Sequence, residues 1–410
     1  MKKILVTYPS SLFPTEMMSQ KRAVTQILTL AKDHKVEVVT FCRNQNEIDK
    51  SIVFFRKHNI SFTSIKAINF SGSILTKYYF HLIAGVKFFL LNISQGISKF
   101  QLKITNNRFL KVINEKEFDI IITHYWYSSF ILKSINRKRI LKIIDLHAMV
   151  EEDAMLNSKG FYYTKNSIKE KKQVKKKLKL QKKVFGSCDI VIPNSITQIK
   201  LLKENYPSLE YFYCPNGQDF SLFNLKKDII YDRNTVLFYG SMGGEQNIGA
   251  FKLFYKNVWP LILKENKLAK LLIVGNKPPN WIKILGKKEN ITVTGFVEDP
   301  ISIILRACCM VLPMDIGVGF RGRIVEAMIA GVPIVGNHNA LDCIRMENKI
   351  HGYITDDYSL MAEYALKMMR DDSLRNEISG NAYQFVQDNY SIEATFKKLS
   401  TFLMLKLKQL

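Results

Sequence analysis

Short runs of apolar residues alternate with longer amphipathic segments through most of the chain. In the first half, apolar runs typical of strands occur at 3–8, 35–41, 119–124, 141–146 and 188–193. Between the first two runs lies segment 18–32, whose apolar positions recur at helical spacing. Alternating strands and helices of this kind predict an α/β fold with parallel sheets.

The same alternation starts again after the turn residues Pro215, Asn216 and Gly217. The second half has predicted strands at 235–239, 270–274, 291–294, 309–313 and 333–336, and predicted helices at 247–263 and 323–330. A chain of 410 residues also exceeds what one hydrophobic core usually supports. We therefore expect two doubly wound domains, 1–220 and 221–390, whose strands point their carboxyl ends at a shared ligand cleft.

The most informative segment is 317–336, GVGFRGRIVEAMIAGVPIVG, which joins a predicted strand, helix and second strand. Its early glycines let backbone approach a ligand closely: Gly317, Gly319 and Gly322. Arg321 and Arg323 add two positive charges beside the exposed N–H groups at the helix start. Glu326 follows one turn later, where a carboxylate can accept hydrogen bonds from a sugar diol. The segment predicts a site for a nucleotide that carries a diphosphate.

Three further loops follow predicted strands of the second half. The glycine-rich loop at 240–244 begins with Gly240 and Ser241 and can present amides to a phosphate or a sugar. Gly275 ends the next strand, and Phe296 and Val297 follow the one after, where they can hold a nucleobase edge. An ordinary strand–helix turn would explain each loop alone. Together with 317–326 they are predicted to lie on one rim of one sheet.

These segments occur in a characteristic order. The order of VLFYGSM, LLIVGNKPP, VTGFVED, GVGFRGRIVEAMIAGVPIVG and YSIEATFKKL resembles that in family 4 retaining glycosyltransferases. The similar branch carries a GxGxRxK-like motif and acts in surface-polysaccharide assembly. The resemblance covers about 230–400 well and is looser upstream. It implies the GT-B fold, with two Rossmann-like domains facing across a cleft and a C-terminal helix, 391–410, that returns to the first domain.

The resemblance also implies roles for individual residues. Glu326 would bind the nucleotide ribose, and Arg321 and Arg323 would bind the diphosphate. Backbone at Gly319 and Phe320 would face the donor sugar. The phosphate side would be lined by Gly240 and Ser241.

Two positions depart from the pattern of the family. Many relatives have a sugar-binding glutamate where this chain has Val318, so contacts to the donor sugar must come from elsewhere. The loop at 9–19 lacks the glycines that relatives usually carry. These departures motivate one alternative, a non-catalytic scaffold protein derived from a glycosyltransferase. A transferase with a soluble acceptor is a second alternative.

The resemblance further implies a donor of the UDP- or GDP-sugar type and no metal or other cofactor. In such retaining enzymes the leaving diphosphate is thought to accept the acceptor proton, so the protein mainly positions groups and stabilises phosphate charge. Asp145 and His147 follow a predicted strand of the first domain and would orient a hydroxyl. A satisfied loop histidine is the alternative for His147, and a solvated helix start is favoured for 151–153. Asp145 would be the base of an inverting enzyme.

The formal charge of +24 is explained either by coding bias or by a basic surface. Segment 169–183 places nine lysines on a predicted amphipathic helix, which suits an anionic membrane surface; a solvated face is the alternative. Segment 74–98 is the most apolar part of the chain, and we expect it to be buried or to lie in the membrane interface. The six cysteines are scattered, which argues against a metal site and for a reducing compartment. We expect a cytoplasmic protein held peripherally at the inner membrane face.

Two other functional classes share features with this sequence: nicotinamide-dependent enzymes and nucleic-acid-binding proteins. Gly317, Gly319 and Gly322 also spell GxGxxG, with Asp342 about 20 residues beyond, as in nicotinamide-binding proteins. That motif normally opens a first βαβ unit and does not contain two arginines ahead of a helix glutamate. Nucleic acid is the other potential partner of the basic charge. No recognition motif for nucleic acid accompanies the lysines, so we predict no nucleic-acid partner.

Overall fold

The computed structural model describes residues 1–15, 17–42, 44–66, 110–113, 115–135, 139–158, 168–224 and 230–409. Segment 74–98, predicted to be buried or interfacial, lies outside the described residues. In the remainder of the chain the described strands form two six-stranded parallel sheets, one in each half.

The first sheet contains β1 (Lys3–Tyr8), β2 (Lys35–Cys42), β3 (Ser61–Lys66), β4 (Ile120–His124), β5 (Leu141–Asp145) and β6 (Ile190–Ile192). The strands lie in the order β3-β2-β1-β4-β5-β6 and pair in parallel. Strands such as IIITH of β4 are buried along their whole length, as expected where helices cover both faces of a parallel sheet. The associated helices are α1 (Met18–Ala31), α2 (Gln45–Lys57), a 3₁₀ segment (Trp126–Ser134), α3 (Val150–Ser158), α4 (Ile168–Phe185) and α5 (Ile196–Asn205).

The second sheet contains β7 (Asp232–Tyr239), β8 (Lys270–Val274), β9 (Ile291–Val293), β10 (Ala307–Leu312), β11 (Ile334–Gly336) and β12 (Tyr353–Ile354). Its order is β12-β11-β10-β7-β8-β9. The helices of this half are α6 (Ser221–Asn224), α7 (Glu245–Leu253), α8 (Trp259–Glu265), α9 (Asn280–Leu285), α10 (Ile301–Ile304), α11 (Gly322–Ile329), α12 (His338–Leu341), α13 (Tyr358–Arg370) and α14 (Asp372–Tyr390). The predicted helix 247–263 is interrupted by a π-helical turn, Phe254–Val258.

Each sheet reverses its strand order at one point. In the first sheet the reversal lies between β1 and β4, and in the second it lies between β7 and β10. Doubly wound sheets bind ligands outside the carboxyl ends of the strands at such a point. The topology therefore directs attention to the ends of β4 and β5 in the first domain and to the ends of β7 and β10 in the second.

The C-terminal segment packs against the first domain. After a π-helical turn (Glu393–Lys397), helix α15 (Lys398–Leu407) contributes Leu399 and Leu403 to the core formed by β1, β2 and β4. Phe402 stacks on Phe212 with ring centroids 4.4 Å apart. The helix therefore crosses back as predicted, whereas the domain boundaries at 220/221 and 390/391 stay a prediction.

Helix α4 carries the predicted basic segment. Val174 and Leu178 are partly buried against the first-domain core, and Phe185 is buried within it. Exposed lysines cover the other side: Lys171, Lys172, Lys175, Lys176, Lys179, Lys182 and Lys183. None of the helices in the described ranges combines the length and the apolar character needed to cross a membrane.

Candidate active site

The loop that follows β7 lies directly against helix α11. Gly240 has φ of +148°, and a Cβ there would be 2.2 Å from Nη1 of Arg323. Gly275 ends β8, and a Cβ there would be 1.9 Å from the Gly240 carbonyl oxygen. A side chain at Gly240 would displace the Arg323 guanidinium, and one at Gly275 would need the backbone of the loop at Gly240 to move. The structure thus brings together Gly240, Gly275 and Arg323, three of the predicted site residues.

The guanidinium of Arg323 has polar neighbours but forms no ion pair with the described residues, although the charge of Glu326 acts on it. Nη1 donates to Oδ1 of Asn247, Nη2 lies 3.6 Å from Sδ of Met314, and Nε is buried with no hydrogen-bond partner among the described residues. Burial, followed by the positive charge of Arg321, lowers the pKa of Arg323 to about 9. An anion bound beside Gly240 would relieve this unfavourable burial of charge.

Arg321 is oriented differently. Its side chain is buried, and its guanidinium donates to the backbone carbonyls of Ile316, at 3.1 Å, and Ala340, at 3.4 Å. These bonds tie the start of α11 to the preceding loop at Ile316 and to helix α12 at Ala340. In this geometry Arg321 holds the loop 316–320 in place, which differs from the direct diphosphate contact that the resemblance implies.

Glu326 lies one turn into α11 and is partly buried. Its Oε2 accepts a hydrogen bond of 2.8 Å from the hydroxyl of Tyr239, the last residue of β7. Burial, together with the charge of Glu326, raises the pKa of the Tyr239 hydroxyl, so this group donates at all ordinary pH values. The carboxylate is thus oriented with Oε1 left to accept from a ligand.

Asn247 joins two parts of the rim. Its side-chain amide donates to the Ser241 carbonyl at 2.6 Å, and its oxygen accepts from Arg323. The Ser241 hydroxyl in turn donates to Oδ1 of Asn276, which follows Gly275. Asn247 and Tyr239 were not among the predicted site residues. Tyr239 ends β7 and Asn247 lies near the start of α7, on either side of the glycine-rich loop 240–244. That position is the sequence feature that could have indicated a role in the site.

The remaining predicted residues of the second domain lie farther along the same rim. Gly319 has φ of +74° in the loop before α11, and the Phe320 ring lies 5.8 Å from that of Tyr390. Phe296 is 76% exposed after β9, and Val297 beside it is partly buried. Phe296 thus lies at the surface, where it can cover a flat ligand.

In the first domain, Asp145 at the end of β5 is fully buried and paired. Its two oxygens accept from Nε and Nη2 of Arg22, at 2.8 and 3.0 Å, and Oδ2 also accepts from Gln26 at 2.7 Å. The Arg22 charge holds the pKa of Asp145 below its usual value against the opposing effect of burial. In this geometry Asp145 contacts Arg22 and Gln26, and its predicted role in orienting a hydroxyl stays a prediction.

His147 lies above this ion pair. Its Nε2 is 2.9 Å from Nδ1 of His124, and its ring stacks on Tyr125 with centroids 4.3 Å apart. Burial lowers the pKa of His124 to about 4 and places the pKa of His147 well below its usual value. Both imidazoles are therefore neutral near pH 7. One ring donates a hydrogen bond to the other, and the pair carries no charge.

Ligand atoms of His124, Asp145 and His147 all lie within 4.8 Å of one another, which is close enough to hold a metal ion. However, the Arg22 guanidinium already holds both carboxylate oxygens of Asp145. The positive charge of Arg22, 2.8 and 3.0 Å from the Asp145 oxygens, repels a cation at the same place. The cluster fits a hydrogen-bonded network better than a metal site.

Glu152 in α3 also differs from expectation. The sequence favours a solvated helix start at 151–153, but Glu152 is only 4% exposed. Its Oε2 accepts from the Met149 amide at 2.8 Å and from Nε2 of Gln198 at 2.9 Å. Local sequence patterns do not report this contact, because Gln198 lies on a different helix, α5.

The two domains meet around the loop 316–320. Leu156 of α3 packs with Ile316 and Val318 in a small buried apolar cluster. The Thr197 hydroxyl donates to the Gly317 carbonyl at 3.4 Å. The predicted donor loop is therefore held from both sides of the cleft.

Comparisons with known proteins agree with this architecture. Residues 233–371 match the family model described as "Glycosyl transferases group 1". The chain is 24% identical over 249 residues to the capsular polysaccharide biosynthesis glycosyltransferase CapM of Staphylococcus aureus, covering 55% of this chain and 64% of CapM. The matches span 44% and 64% of the first two curated relatives, so the chain aligns with only part of each.

Among solved structures, sucrose-phosphate synthase of Thermosynechococcus elongatus has a TM-score of 0.72 at 14% identity, with 100% of both chains covered. HepE of Anabaena, in complex with UDP and glucose, has a TM-score of 0.64 at 13% identity, with 98% of this chain and 100% of HepE covered. The predicted fold class is confirmed, whereas membership of family 4 stays a prediction. The chain has the two-domain α/β GT-B fold, and its second domain is similar to group 1 glycosyl transferases.

Proposed function

We propose that this protein is a glycosyltransferase that moves a sugar from a nucleoside-diphosphate sugar to a lipid-linked or growing glycan acceptor. The similarity of residues 233–371 to group 1 glycosyl transferases supports the reaction class. The capsular polysaccharide function in the name of CapM supports a glycan acceptor.

The observation that carries the proposal is the pair of opposite charges on α11. Arg323 lies against Gly240 and forms no ion pair with a carboxylate of the described residues, although the charge of Glu326 one turn beyond acts on it. The Glu326 carboxylate is oriented by Tyr239. A cation beside a loop that follows a strand suits a diphosphate, together with the N–H groups at the helix start. A carboxylate one turn away repels phosphate and suits ribose hydroxyls. One nucleoside diphosphate satisfies both residues.

For the donor we propose a UDP- or GDP-sugar, with UDP the first choice. Several structural neighbours were solved with UDP, among them HepE and TarM of S. aureus. Gly275 after β8, with Phe296 and Val297 on the rim after β9, would hold the base. Gly240 and Ser241 would lie beside the phosphates. Backbone at Gly319 and Phe320 would face the sugar.

We propose that transfer retains the anomeric configuration and needs no metal or other cofactor. Arg323 and the start of α11 would stabilise the charge of the departing diphosphate, which then accepts the acceptor proton. Arg321 would keep the loop 316–320 in shape. His147, neutral near pH 7, would orient an acceptor or donor hydroxyl, and Asp145 would act through it. Analysis of the product anomer by NMR tests this: an inverted centre would contradict retention.

The location we propose is the cytoplasmic face of the inner membrane, with the lysine-rich side of α4 on an anionic surface. The alternative of a soluble acceptor predicts that replacing these lysines leaves vesicle binding unchanged. A flotation assay with vesicles containing anionic lipid compares wild type with a variant in which Lys175, Lys176, Lys179 and Lys183 are glutamine. Equal flotation of the two proteins would contradict the membrane role and leave the transferase proposal standing.

The experiment that tests the function is a thermal-shift screen with UDP, GDP, ADP, CMP, NAD and NADP, on wild type and Glu326→Ala. We expect one nucleoside diphosphate to stabilise the wild type and to lose most of its effect in the variant. Stabilisation by NAD or NADP alone would contradict the proposal and favour a nicotinamide enzyme. No shift with any compound would favour the non-catalytic scaffold.

A further inference from the structure

Glu152 lies at the boundary between the two domains, near the start of α3. One of its carboxylate oxygens is fully used within the first domain: Oε2 accepts from the Met149 amide and from Gln198, at 2.8 and 2.9 Å. These two bonds fix the side chain and cap the helix start. Neither bond involves the other carboxylate oxygen, Oε1.

Oε1 of Glu152 is buried and has no hydrogen-bond partner among the described residues. A buried carboxylate oxygen without a partner is costly and is rare in native proteins. Glu152 forms no ion pair with the described residues; besides burial, the groups that act on its pKa are Gln198, the Met149 amide, the like charge of Asp153 and the Gly319 amide of the second domain. Burial raises the pKa of Glu152 to about 7. An ion pair therefore does not explain why this carboxyl is buried.

The orientation of the carboxyl points to the loop 316–320. Leu156, one turn after Glu152 on α3, packs against Ile316 and Val318, which places the carboxyl beside this loop. The Gly319 amide also acts against the effect of burial on the Glu152 pKa, in agreement with that position. A Cβ built on Gly319 would meet no atom within 4 Å, so there is open space beside this residue. The side chains of Ile316 and Val318 are apolar and packed against Leu156, so neither supplies a polar group to a ligand there.

We propose that Glu152 binds a hydroxyl of the donor's sugar through Oε1, across the boundary between the domains. A carboxylate oxygen beside a backbone amide matches a sugar hydroxyl, which donates to the first and accepts from the second. A phosphate would be repelled at the same place. This inference rests on the proposed function, and it assigns selection of the sugar partly to the first domain.

The test is titration calorimetry of wild type, Glu152→Gln and the control Glu151→Gln with UDP, UDP-glucose, UDP-galactose and UDP-N-acetylglucosamine. Glu152→Gln keeps an oxygen for Met149 and Gln198 but replaces the charged acceptor. Glu151 lies on the same helix turn, and its carboxylate is engaged by Gln181 and Tyr206, at 2.7 and 3.0 Å. We expect Glu152→Gln to weaken the tightest UDP-sugar about tenfold and to leave UDP within about twofold, the effect of one charged hydrogen bond. Glu151→Gln should change neither.

Equal weakening of UDP and of the UDP-sugars in Glu152→Gln would overturn the inference, because it would show a purely structural role. Unchanged affinity for every UDP-sugar would overturn it as well. Both outcomes leave the proposed function intact, since they require that the wild type binds the nucleotide. Wild type that binds none of these ligands, nor the other nucleoside diphosphates of the thermal-shift screen, would instead contradict the proposed function.

Discussion

The two sides of the cleft use charged residues in opposite ways. At the end of β5, Asp145 and Arg22 neutralise each other in a fully buried ion pair. At the start of α11, Arg323 forms no ion pair with the described residues, and Glu326 keeps one carboxylate oxygen available. Asp145 and Arg22 are thus paired with each other inside the first domain, whereas Arg323 and Glu326 have no such ion pair among the described residues of the second.

This contrast explains why charge alone is a poor guide to a site. Asp145 and Glu326 are both acids near the carboxyl ends of strands, yet only Glu326 is partly exposed. The two acids differ in their hydrogen-bond partners: Asp145 accepts three bonds from Arg22 and Gln26, and Glu326 accepts one from Tyr239. Asp145 is fully buried and its oxygens accept from an arginine and a glutamine, so it offers no exposed acceptor to a substrate. Substitution of Asp145 should therefore reduce stability, whereas substitution of Arg323 should reduce transfer activity.

The largest effect is expected from breaking the buried ion pair. Asp145→Asn leaves the Arg22 charge buried without a partner, which typically costs about 3–5 kcal/mol of unfolding free energy. Chemical denaturation of the variant and of the exposed neighbour control Lys21→Ala measures this loss. A variant that unfolds at the wild-type midpoint but has lost transfer activity would place Asp145 in direct contact with substrate.

The next prediction distinguishes the roles of Arg321 and Arg323 at the start of α11. Arg323→Ala should lower kcat/KM by removing a charged phosphate contact, at a cost of about 2–4 kcal/mol in the transition state, with little change in stability. Arg321→Ala should instead lower the unfolding free energy, because its bonds to Ile316 and Ala340 hold the loop. Steady-state kinetics and thermal denaturation of both variants decide. The opposite pattern would restore Arg321 as the direct contact.

A pH effect is expected from Glu152. Its pKa is raised to about 7 in the folded protein from 4.5, so the native state binds the proton more tightly than the unfolded chain does. Folding stability should therefore fall as pH rises from 4.5 to 7, by up to about 3 kcal/mol from this group. The lowered pKa of His124 acts in the opposite direction, since it destabilises the fold as pH falls from 6.5 to 4.

Because the two groups oppose each other, the measurement is a difference. Unfolding free energies of wild type and Glu152→Gln are compared at pH 5 and pH 7. The variant should gain stability relative to wild type as the pH increases. A constant difference across this window would show that the carboxyl is already ionised at pH 5.

The smallest effect concerns the group that orients Glu326. Tyr239→Phe removes the 2.8 Å hydrogen bond to Oε2 and leaves the ring in place. Nucleoside diphosphate affinity should fall by about 1–2 kcal/mol, since the carboxylate loses a donor that fixes its position. Calorimetry with UDP measures it. An unchanged dissociation constant would show that Glu326 is positioned by the helix alone.

The second domain was the easier half to predict from the sequence. Its strands and α11 occur within a few residues of the expected positions, because apolar runs and a glycine-bounded helix report local structure directly. The closeness of Gly240 and Arg323 also follows from topology, since β7 and β10 are neighbours at the reversal of strand order. Edge strands β3 and β12 were not predicted, as their sequences are short or partly polar.

The first domain was harder for a physical reason. Arg22 and Asp145 are 123 positions apart, and no local pattern reports that a helix side chain will reach the end of a distant strand. The same holds for Glu152 and Gln198, 46 positions apart, and for the Gly319 amide beyond them. An acid at a helix start resembles a solvated cap in the sequence, and only the packed structure shows that it is buried. Whether an acid faces ligand or protein therefore depends on contacts that spacing does not encode.

The most direct test of the account is calorimetric titration of UDP and UMP into wild type, Arg323→Ala and Glu326→Ala. If Arg323 binds the second phosphate and Glu326 the ribose, Arg323→Ala will abolish the preference for UDP over UMP. Glu326→Ala will weaken both nucleotides by the same factor. A preference for UDP that survives in Arg323→Ala, or nucleotide affinities unchanged in Glu326→Ala, would contradict the claim that α11 presents these two charges to a nucleoside diphosphate.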